Sequence, residues 1–368
     1  MNEVNKSIKP RFERLKVTKK QQLSKHTFLL GLEPPKGQGT EFLAGQYLRL
    51  KHEDKANDYS FVSAPYENKW ELALKINHEE SFANHIFKHY EVGDEILVSA
   101  PMGRFTLADK PNEKRTILGF AGGIGITPIL SHLKHILHTE RLTRFFLFYA
   151  NKTKAQIVFK DELAALVAQY PERLEVYEFY TQEPDMHPFF SGRINERKIE
   201  LIINQLLHLD EDDDESTIWD AVDEILICGP GMMIKDIATA CYENGIRKKN
   251  IHFELFESFN EDIYPEEQVH ERIEDILVQW QLNGETSPVV HLKNNQQKLL
   301  SQLLDLGYEL PYSCKSGICG ACRCKLEEGK VEMTDNEYLT DKELEEGEVL
   351  ICVSLPISKT LKLNFDLI

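Results

Sequence analysis

Apolar positions in the first 110 residues recur mostly with a period of two. The runs LKVTKKQQL, HTFLLGLEP, QYLRLKH, YSFVSAP, WELALKIN and EILVSAP are short, β-favouring and cut by Gly and Pro. That pattern predicts short antiparallel strands, and six of them in succession predict a small barrel. Helical spacing interrupts the series once, near Phe82 to Tyr90.

The period changes at residue 115. RTILGFAG is an apolar strand that runs into a Gly-rich turn, and TPILSHLKHILH has helical spacing. RFFLFYAN, RLEVYEFYT and EILICGP read as further strands, separated by the helical KDELAALVAQY and RKIELIINQLLHL. GMMIKDIATACYENG reads as a helix that stops at Gly245. Strand and helix in alternation predict a doubly wound parallel sheet. The acidic, proline-bearing SFNEDIYPEEQVHERIE then reads as a linker. Beyond it, DILVQWQLNG, SPVVHLK, the helical QKLLSQLLDLG, a cysteine-rich loop and two more strand-like runs predict an α+β sheet with one helix and a long loop. The expected organisation is multidomain: an antiparallel β-barrel over 1–112, an α/β domain over 113–260, a linker over 261–275 and the α+β domain over 276–368. No internal repeat is visible.

Composition supports packed domains, since 42% of the 368 residues are hydrophobic and 28% are charged. The polar N-terminus MNEVNKSIKP lacks the apolar stretch of a secretory signal. The longest uncharged run, Ile117 to Leu133, holds four glycines and a proline, so it reads as strand, loop and helix start rather than a membrane span. A soluble, cytoplasmic protein is expected. The net charge of −17 disfavours nucleic acid and anionic membrane as partners. Its acidic blocks, LDEDDDE at 209–215 and residues 327–348, read as solvated faces, or more sharply as a docking face for a basic partner.

Seven cysteines are too few, and odd in number, for a secreted disulfide framework. Four of them crowd into CKSGICGACRCK, with the spacing Cys314-x4-Cys319-x2-Cys322 and then Cys352. This is the plant-type [2Fe–2S] spacing, in which one loop supplies three thiolates and a distant strand the fourth. Gly317 and Gly320 permit the backbone angles that turn amides towards cluster sulfurs. A structural zinc site would show paired Cys-x2–4-Cys knuckles. Cys324 can replace Cys322 on spacing alone, although the x4/x2 rule favours Cys322 and leaves Cys324 as a packed neighbour.

A cluster of this kind takes one electron at a time, whereas a nicotinamide gives two together. A flavin can split the pair, so the chain is expected to hold flavin and nicotinamide sites. GFAGGIGITP follows a strand and opens a helix. It lacks the third glycine of the dinucleotide fingerprint. Gly122, Gly123 and Gly125 nevertheless let backbone amides approach a pyrophosphate at the helix start, with Thr127 as cap and Pro128 in the first turn. Lys152 and Lys154, after the second strand of the sheet, favour the 2′-phosphate of NADPH over NADH.

YANKTKAQIVFKDELAAL, SGRI, CGPGMMI and LPYSCKSGICGACRCKLEEGKVEM together resemble a ferredoxin–NADP⁺ reductase-like module fused to a plant-type ferredoxin domain. The resemblance covers nearly the whole chain, in the order flavin, nicotinamide, cluster. Within that family the chain is similar to the reductase components of phenylacetyl-CoA epoxygenase and of other multicomponent oxygenases and hydroxylases. It implies a β-grasp fold for the ferredoxin part, FAD as flavin (with FMN the alternative), and an oxygenase, hydroxylase or desaturase as electron acceptor.

The resemblance also implies roles for single residues. Cys228 lies beside the reacting nicotinamide carbon. The Arg-x-Tyr-Ser flavin signature falls on Asn57-Asp58-Tyr59-Ser60, with Tyr59 on the ring and Ser60 near flavin N5. The phosphate-binding arginine is therefore missing, and Lys55 is the nearest cation. At the start of the barrel's helix Ala83 stands where a serine is common, leaving Ser81 to cap. Lys75 matches a contact beside the ribityl chain, and PMGRF follows as in the family. Glu254 and Phe256 match an acidic residue and an aromatic near the flavin. Two other classes stay open: a redox-sensing iron–sulfur protein with a weakened flavin site, prompted by Asn57 and Ala83, and a stand-alone diaphorase acting on small acceptors.

Overall fold

The structure, a computed structural model, describes residues 12–35, 41–53, 55–183, 188–206, 218–257, 259, 261–264, 272–312, 315, 317, 320–334, 336 and 338–367. The chain divides into two compact units, Met1–Phe256 and Glu257–Ile368.

The first unit begins with β1 (Phe12–Ser24), β2 (Thr27–Leu32), β3 (Tyr47–His52), β4 (Lys55–Ser60), β5 (Trp70–Lys75), the helix α1 (Phe82–His89) and β6 (Glu95–Ser99). The strands are antiparallel in the order β4-β3-β6-β1-β2-β5. Phe61 bridges to Leu72, and Val62 N–H donates to Glu71 O at 2.9 Å. These contacts join the end of β4 to β5 and close the barrel, which removes its open edges. Period-two burial builds the interior: Phe28 and Leu30, Leu48 and Leu50, and Leu72 and Leu74 are all fully buried. The strand expected over YSFVSAP is displaced. It ends at Ser60, and Pro65 opens a 3₁₀ turn. Its N-terminal half is the polar KAND, which holds strand geometry because each residue pairs with β3.

The same unit continues with β7 (Thr116–Gly122), α2 (Ile126–Thr139), β8 (Arg144–Asn151), α3 (Lys160–Gln169), β9 (Leu174–Tyr180), α4 (Glu196–Leu206), β10 (Glu224–Cys228), α5 (Gly231–Glu243) and β11 (Ile251–Glu254). All five strands are parallel, in the order β11-β10-β7-β8-β9. The order reverses between β7 and β10, which puts the ligand crevice of such a sheet at their C-terminal ends. Gly245, with φ +96°, follows α5, as its sequence position predicts.

The second unit comprises β12 (Glu274–Leu282), β13 (Glu285–Thr286), β14 (Val290–Asn294), α6 (Leu299–Asp305), β15 (Arg323–Glu328), β16 (Val331–Met333), α7 (Asp341–Glu345), β17 (Glu348–Leu350), β18 (Ser354–Pro356) and β19 (Thr360–Asn364). One sheet runs β13-β12-β19-β15-β17, with β14 also on β12; β16 and β18 form a separate pair. The sheet is mixed, because β12 and β19 are parallel. It is richer than expected. Five strands, not two, follow the cysteine loop, and α7 is a second helix, built on a capping box between Thr340 and Glu343. Strands of three residues are too short to carry a readable period. β12 also begins at Glu274, inside the segment read as linker. Among the described residues no helix is long and apolar enough to cross a membrane.

Candidate functional site

The C-terminal ends of β7, β10 and β11 lie side by side, with Cys228 paired to Ala121 on one flank and to Glu254 on the other. The turn after β7 packs backbone-to-backbone on the turn after β10. A Cβ on Gly125 would collide with the Cys228 carbonyl, and one on Gly122 would lie 2.7 Å from Pro230 Cδ. These two glycines are therefore required by the loop–loop contact. Gly123 differs: it has φ +56° and nothing within 4 Å of its would-be Cβ. That leaves open space above the backbone where a pyrophosphate at the start of α2 would sit. Thr127 does not cap α2 as expected. It is buried at the second helical position, and its hydroxyl donates to Ile124 O at 3.1 Å. Gly125 occupies the cap position, and Pro128 falls in the first turn as predicted.

Cys228 is fully buried, and burial, with Glu254 adding to it, pushes its thiol well above the usual range. It is thus a neutral thiol and not a nucleophile. Burial likewise pushes Glu254 up to about 8, against the hydrogen bond it accepts from Ser60 Oγ at 3.0 Å. This bond joins the last residue of β4 to the last residue of β11, so the barrel meets the parallel sheet at the C-terminal ends of its strands. Phe256 lies two residues on and is 43% exposed.

Tyr59 is half-buried on β4, its ring stacked at 6.4 Å from Phe82 of α1, and burial raises its phenol to about 12. Asn57 is exposed. On the opposite face of the hairpin Arg49 grips Asp58 with two hydrogen bonds, 2.6 and 2.7 Å. Ser81 caps α1 as expected, accepting from Asn84 N at 3.3 Å, while Ala83 is buried. The Phe82 and Ala83 amides belong to the helix's first turn, whose N–H groups have no intrahelical partner. They suit an anion. Lys75 is exposed at the end of β5.

Three polar side chains of α2 hold the barrel. Ser131 Oγ donates to Ser63 O at 2.7 Å, His132 Nε2 lies 2.8 Å from Phe105 O, and Lys134 Nζ lies 2.8 Å from Glu67 Oε2. All three are buried. Burial drives the His132 imidazole down to about 3, so it is neutral and donates through Nε2. Sequence reasoning misses this contact, because helical spacing alone does not show that the polar Ser131, His132 and Lys134 are buried.

Lys152 is exposed after β8. Its carbonyl accepts from Gln182 N at 2.9 Å, and Lys154 N donates to Glu183 Oε2 at 2.7 Å. The loop after β9 therefore brings an acid to a segment whose own sequence has none before Asp161. Nearby, Lys154, Lys160, Tyr177, Glu178, Tyr180 and Phe190 line a cleft of about 370 Å³.

In the second unit Cys322 and Cys352 are both buried and belong to one core cluster. Ile351 N donates to Cys322 O at 3.4 Å, so the chain returns beside the loop immediately before Cys352. Lys315, Gly317 and Gly320 have φ of +56°, +74° and +66°, the inward-turning backbone a thiolate cage requires. A Cβ on Gly320 would collide with the ring of Tyr338. These features fit a [2Fe–2S] cluster. Cys324 is fully buried in the same core, its thiol raised by burial. Cys314 and Cys319 lie outside the described residues.

Comparison with known proteins agrees with both halves. The family described as "Oxidoreductase NAD-binding domain" matches residues 120–239, and "2Fe-2S iron-sulfur cluster binding domain" matches residues 283–356. The chain is 29% identical over 344 residues to one subunit of the 1,2-phenylacetyl-CoA epoxidase of Escherichia coli, covering 92% of this chain and 93% of that one. It is 29% identical over 333 residues to the ferredoxin reductase component of 3-ketosteroid-9-alpha-monooxygenase of Mycobacterium tuberculosis, covering 88% and 86%. Among solved structures, phthalate dioxygenase reductase aligns over 96% of this chain and 98% of its own, with TM-score 0.53 and 23% identity.

Proposed function

We infer that this chain, a ferredoxin–NADP⁺ reductase-like oxidoreductase with an NAD-binding domain and a C-terminal 2Fe–2S domain, supplies electrons to a separate oxygenase component. It passes them from NAD(P)H through flavin to the [2Fe–2S] cluster. The observation that carries the reading is the meeting of Ser60, Cys228 and Glu254 beside the Gly122–Gly125 turn, in a chain that also brings Cys322 to Cys352.

When bound, the flavin and cluster supply the conversion of paired electrons into single ones. The protein's part is placement. The Gly123 backbone and the start of α2 receive the nicotinamide pyrophosphate. Tyr59 offers its ring to the flavin, and Ser60 offers its hydroxyl on the same strand. The neutral Cys228 thiol shapes the floor under the nicotinamide. Glu254, protonated at neutral pH, holds a proton near the reacting atoms and keeps a negative charge out of the site. Ser131, His132 and Lys134 fix α2, and with it the nicotinamide loop, to the barrel. Cys314, Cys319, Cys322 and Cys352 hold the cluster. The flavin is proposed as FAD and the donor as NADPH, on Lys152.

Purification without oxygen, followed by flavin, iron and sulfide analysis and NAD(P)H titration, tests this. Bleaching of flavin and cluster together, with cytochrome c reduction, is expected. Flavin bleaching that leaves the cluster oxidised would overturn the relay.

A further inference from the structure

One corner of the barrel holds a cluster of imidazoles that takes no part in the relay. His85 of α1 lies between His52 and His89, with ring centroids 4.3 Å away on each side, stacked on His89 and tilted by 39° to His52. His52 Nδ1 lies 2.7 Å from Tyr90 Oη, and His89 Nδ1 lies 2.9 Å from His85 O. His85 Nε2 is buried and has no hydrogen-bond partner among the described residues. An orphaned buried ring nitrogen beside two more imidazoles is costly unless an acceptor arrives.

The position of the cluster says which acceptor. Directly paired residues of an antiparallel ladder share a face. Tyr59 pairs with Leu48, Asn57 with Leu50 and Lys55 with His52. One face therefore runs from the ring-binding Tyr59 past Asn57, which stands in the arginine position, to Lys55 and His52. α1 follows the same line, with Phe82 against Tyr59 and His85 against His52. At about 3.3 Å per residue, Lys55 lies about 13 Å from Tyr59, beyond the first-turn amides of α1. A mononucleotide would bring one phosphate to the start of α1, whereas a dinucleotide would carry a second, one P–O–P link further along this face and within reach of the imidazole side chains.

We propose that His52 and His85, supported by Lys55 and His89, bind the second phosphate of a flavin dinucleotide in place of the missing arginine, and that this binding is coupled to imidazole protonation. The proposal rests on the flavin reading of the barrel. Among the described residues, the charged groups around the corner include Glu53, Lys55 and, near Tyr90, Arg14, Asp94 and the Lys20–Glu91 ion pair. These three cations offset the three anions, so protonated imidazole is the group left to meet the phosphate charge. Burial, with His52 and His89 adding to it, holds His85 below its usual range in the absence of an anion. A bound phosphate reverses that balance, so affinity rises as pH falls.

The test is the dissociation constant of FAD, FMN and riboflavin from the full-length flavin-stripped protein at pH 6 and pH 8. FAD is expected to bind about tenfold tighter at pH 6, with FMN and riboflavin little changed. His85→Gln should bring FAD to the FMN level and remove its pH dependence, and His85→Arg should restore affinity without pH dependence. Imidazole NMR with inorganic pyrophosphate as probe should show His52 and His85 shifting together. Identical pH profiles for FAD and FMN, or a His85→Gln variant with the wild-type FAD profile, would overturn the proposal. Failure of riboflavin, FMN and FAD alike to bind would instead remove the flavin reading.

Discussion

Ser60 Oγ donates to Glu254 Oε2 at 3.0 Å, across 194 residues of sequence. Ser60 closes β4 of the barrel and Glu254 closes β11 of the parallel sheet, so this one bond reports whether the barrel and the sheet are in register. It also sets a proton equilibrium. Burial holds the Glu254 carboxyl at about 8, far above the ordinary carboxylate value.

The first prediction follows from that equilibrium. Between the unfolded value and about 8 the folded protein keeps a proton on Glu254 that the unfolded chain has lost. Stability from this group is therefore full below the ordinary carboxylate range and falls as pH rises towards 8. Glu254→Gln, which cannot ionise, should be more stable than wild type at pH 8 and close to it at pH 4. Urea unfolding at the two pH values checks this. The variant should also flatten the pH profile of flavin reduction near 8 in stopped flow, while KM for the nicotinamide changes little.

The cysteine assignments predict a sharp contrast between neighbours. Cys352→Ser should lose the visible cluster absorption and cytochrome c reduction but retain ferricyanide reduction through the flavin. Cys322→Ser should do the same. Cys324 sits in the ladder opposite Val349, fully buried, so Cys324→Ala should keep iron and sulfide at the wild-type ratio. Iron loss from Cys324→Ala with retention in Cys322→Ser would exchange their roles.

Coenzyme preference should answer to two loops. Lys152→Glu places an anion where the 2′-phosphate is proposed to lie, and should lower kcat/KM for NADPH relative to NADH by about tenfold. Glu183, brought to Lys154 N from the loop after β9, acts in the opposite sense. Glu183→Gln should move the ratio towards NADPH. Unmoved ratios in both variants would place the discriminating contact elsewhere.

Much of this is legible in the residues because it depends on local pattern. Barrel strands, the αβ alternation, the turn at Gly122–Gly125, the cap at Ser81 and the cysteine spacing all fall within short windows. Contacts that depend on the packing of distant segments are not. Glu183 reaches Lys154 only because β8 and β9 are neighbours. Thr127 suits a cap by residue type, but the preceding 3₁₀ turn draws its hydroxyl to Ile124 O. The pair His85 and His89 is visible at i, i+4 on a helix, yet nothing local shows that His52 completes the cluster. The three-residue strands β16, β17 and β18 carry too little pattern to be read at all.

Lys134 supplies the last prediction, since it is the charged member of the three α2 side chains that hold the barrel. Its ammonium is buried between Glu67 Oε2 at 2.8 Å and Glu162 Oε1 at 3.0 Å. Burial raises the Glu67 carboxyl, but the bond and charge of Lys134 outweigh it and hold the group below its usual value. Stability from Glu67 is thus full above the unfolded carboxylate range and lost as pH falls through the depressed value. Lys134→Met removes one of two ammonium partners from a largely buried carboxylate, which keeps Lys69 Nζ at 3.0 Å and the Ala64 amide at 2.6 Å, and should cost about 2 kcal/mol at pH 7. The loss should shrink at pH 4, where a Glu67 without its Lys134 contact takes up a proton more readily. Because α2 also carries the nicotinamide loop, the variant should slow flavin reduction by NAD(P)H and leave dithionite reduction of the cluster unchanged. Equal stability loss at both pH values would show that the ammonium acts by packing alone, and an unaltered flavin reduction rate would separate the α2 contact from the placement of the coenzyme.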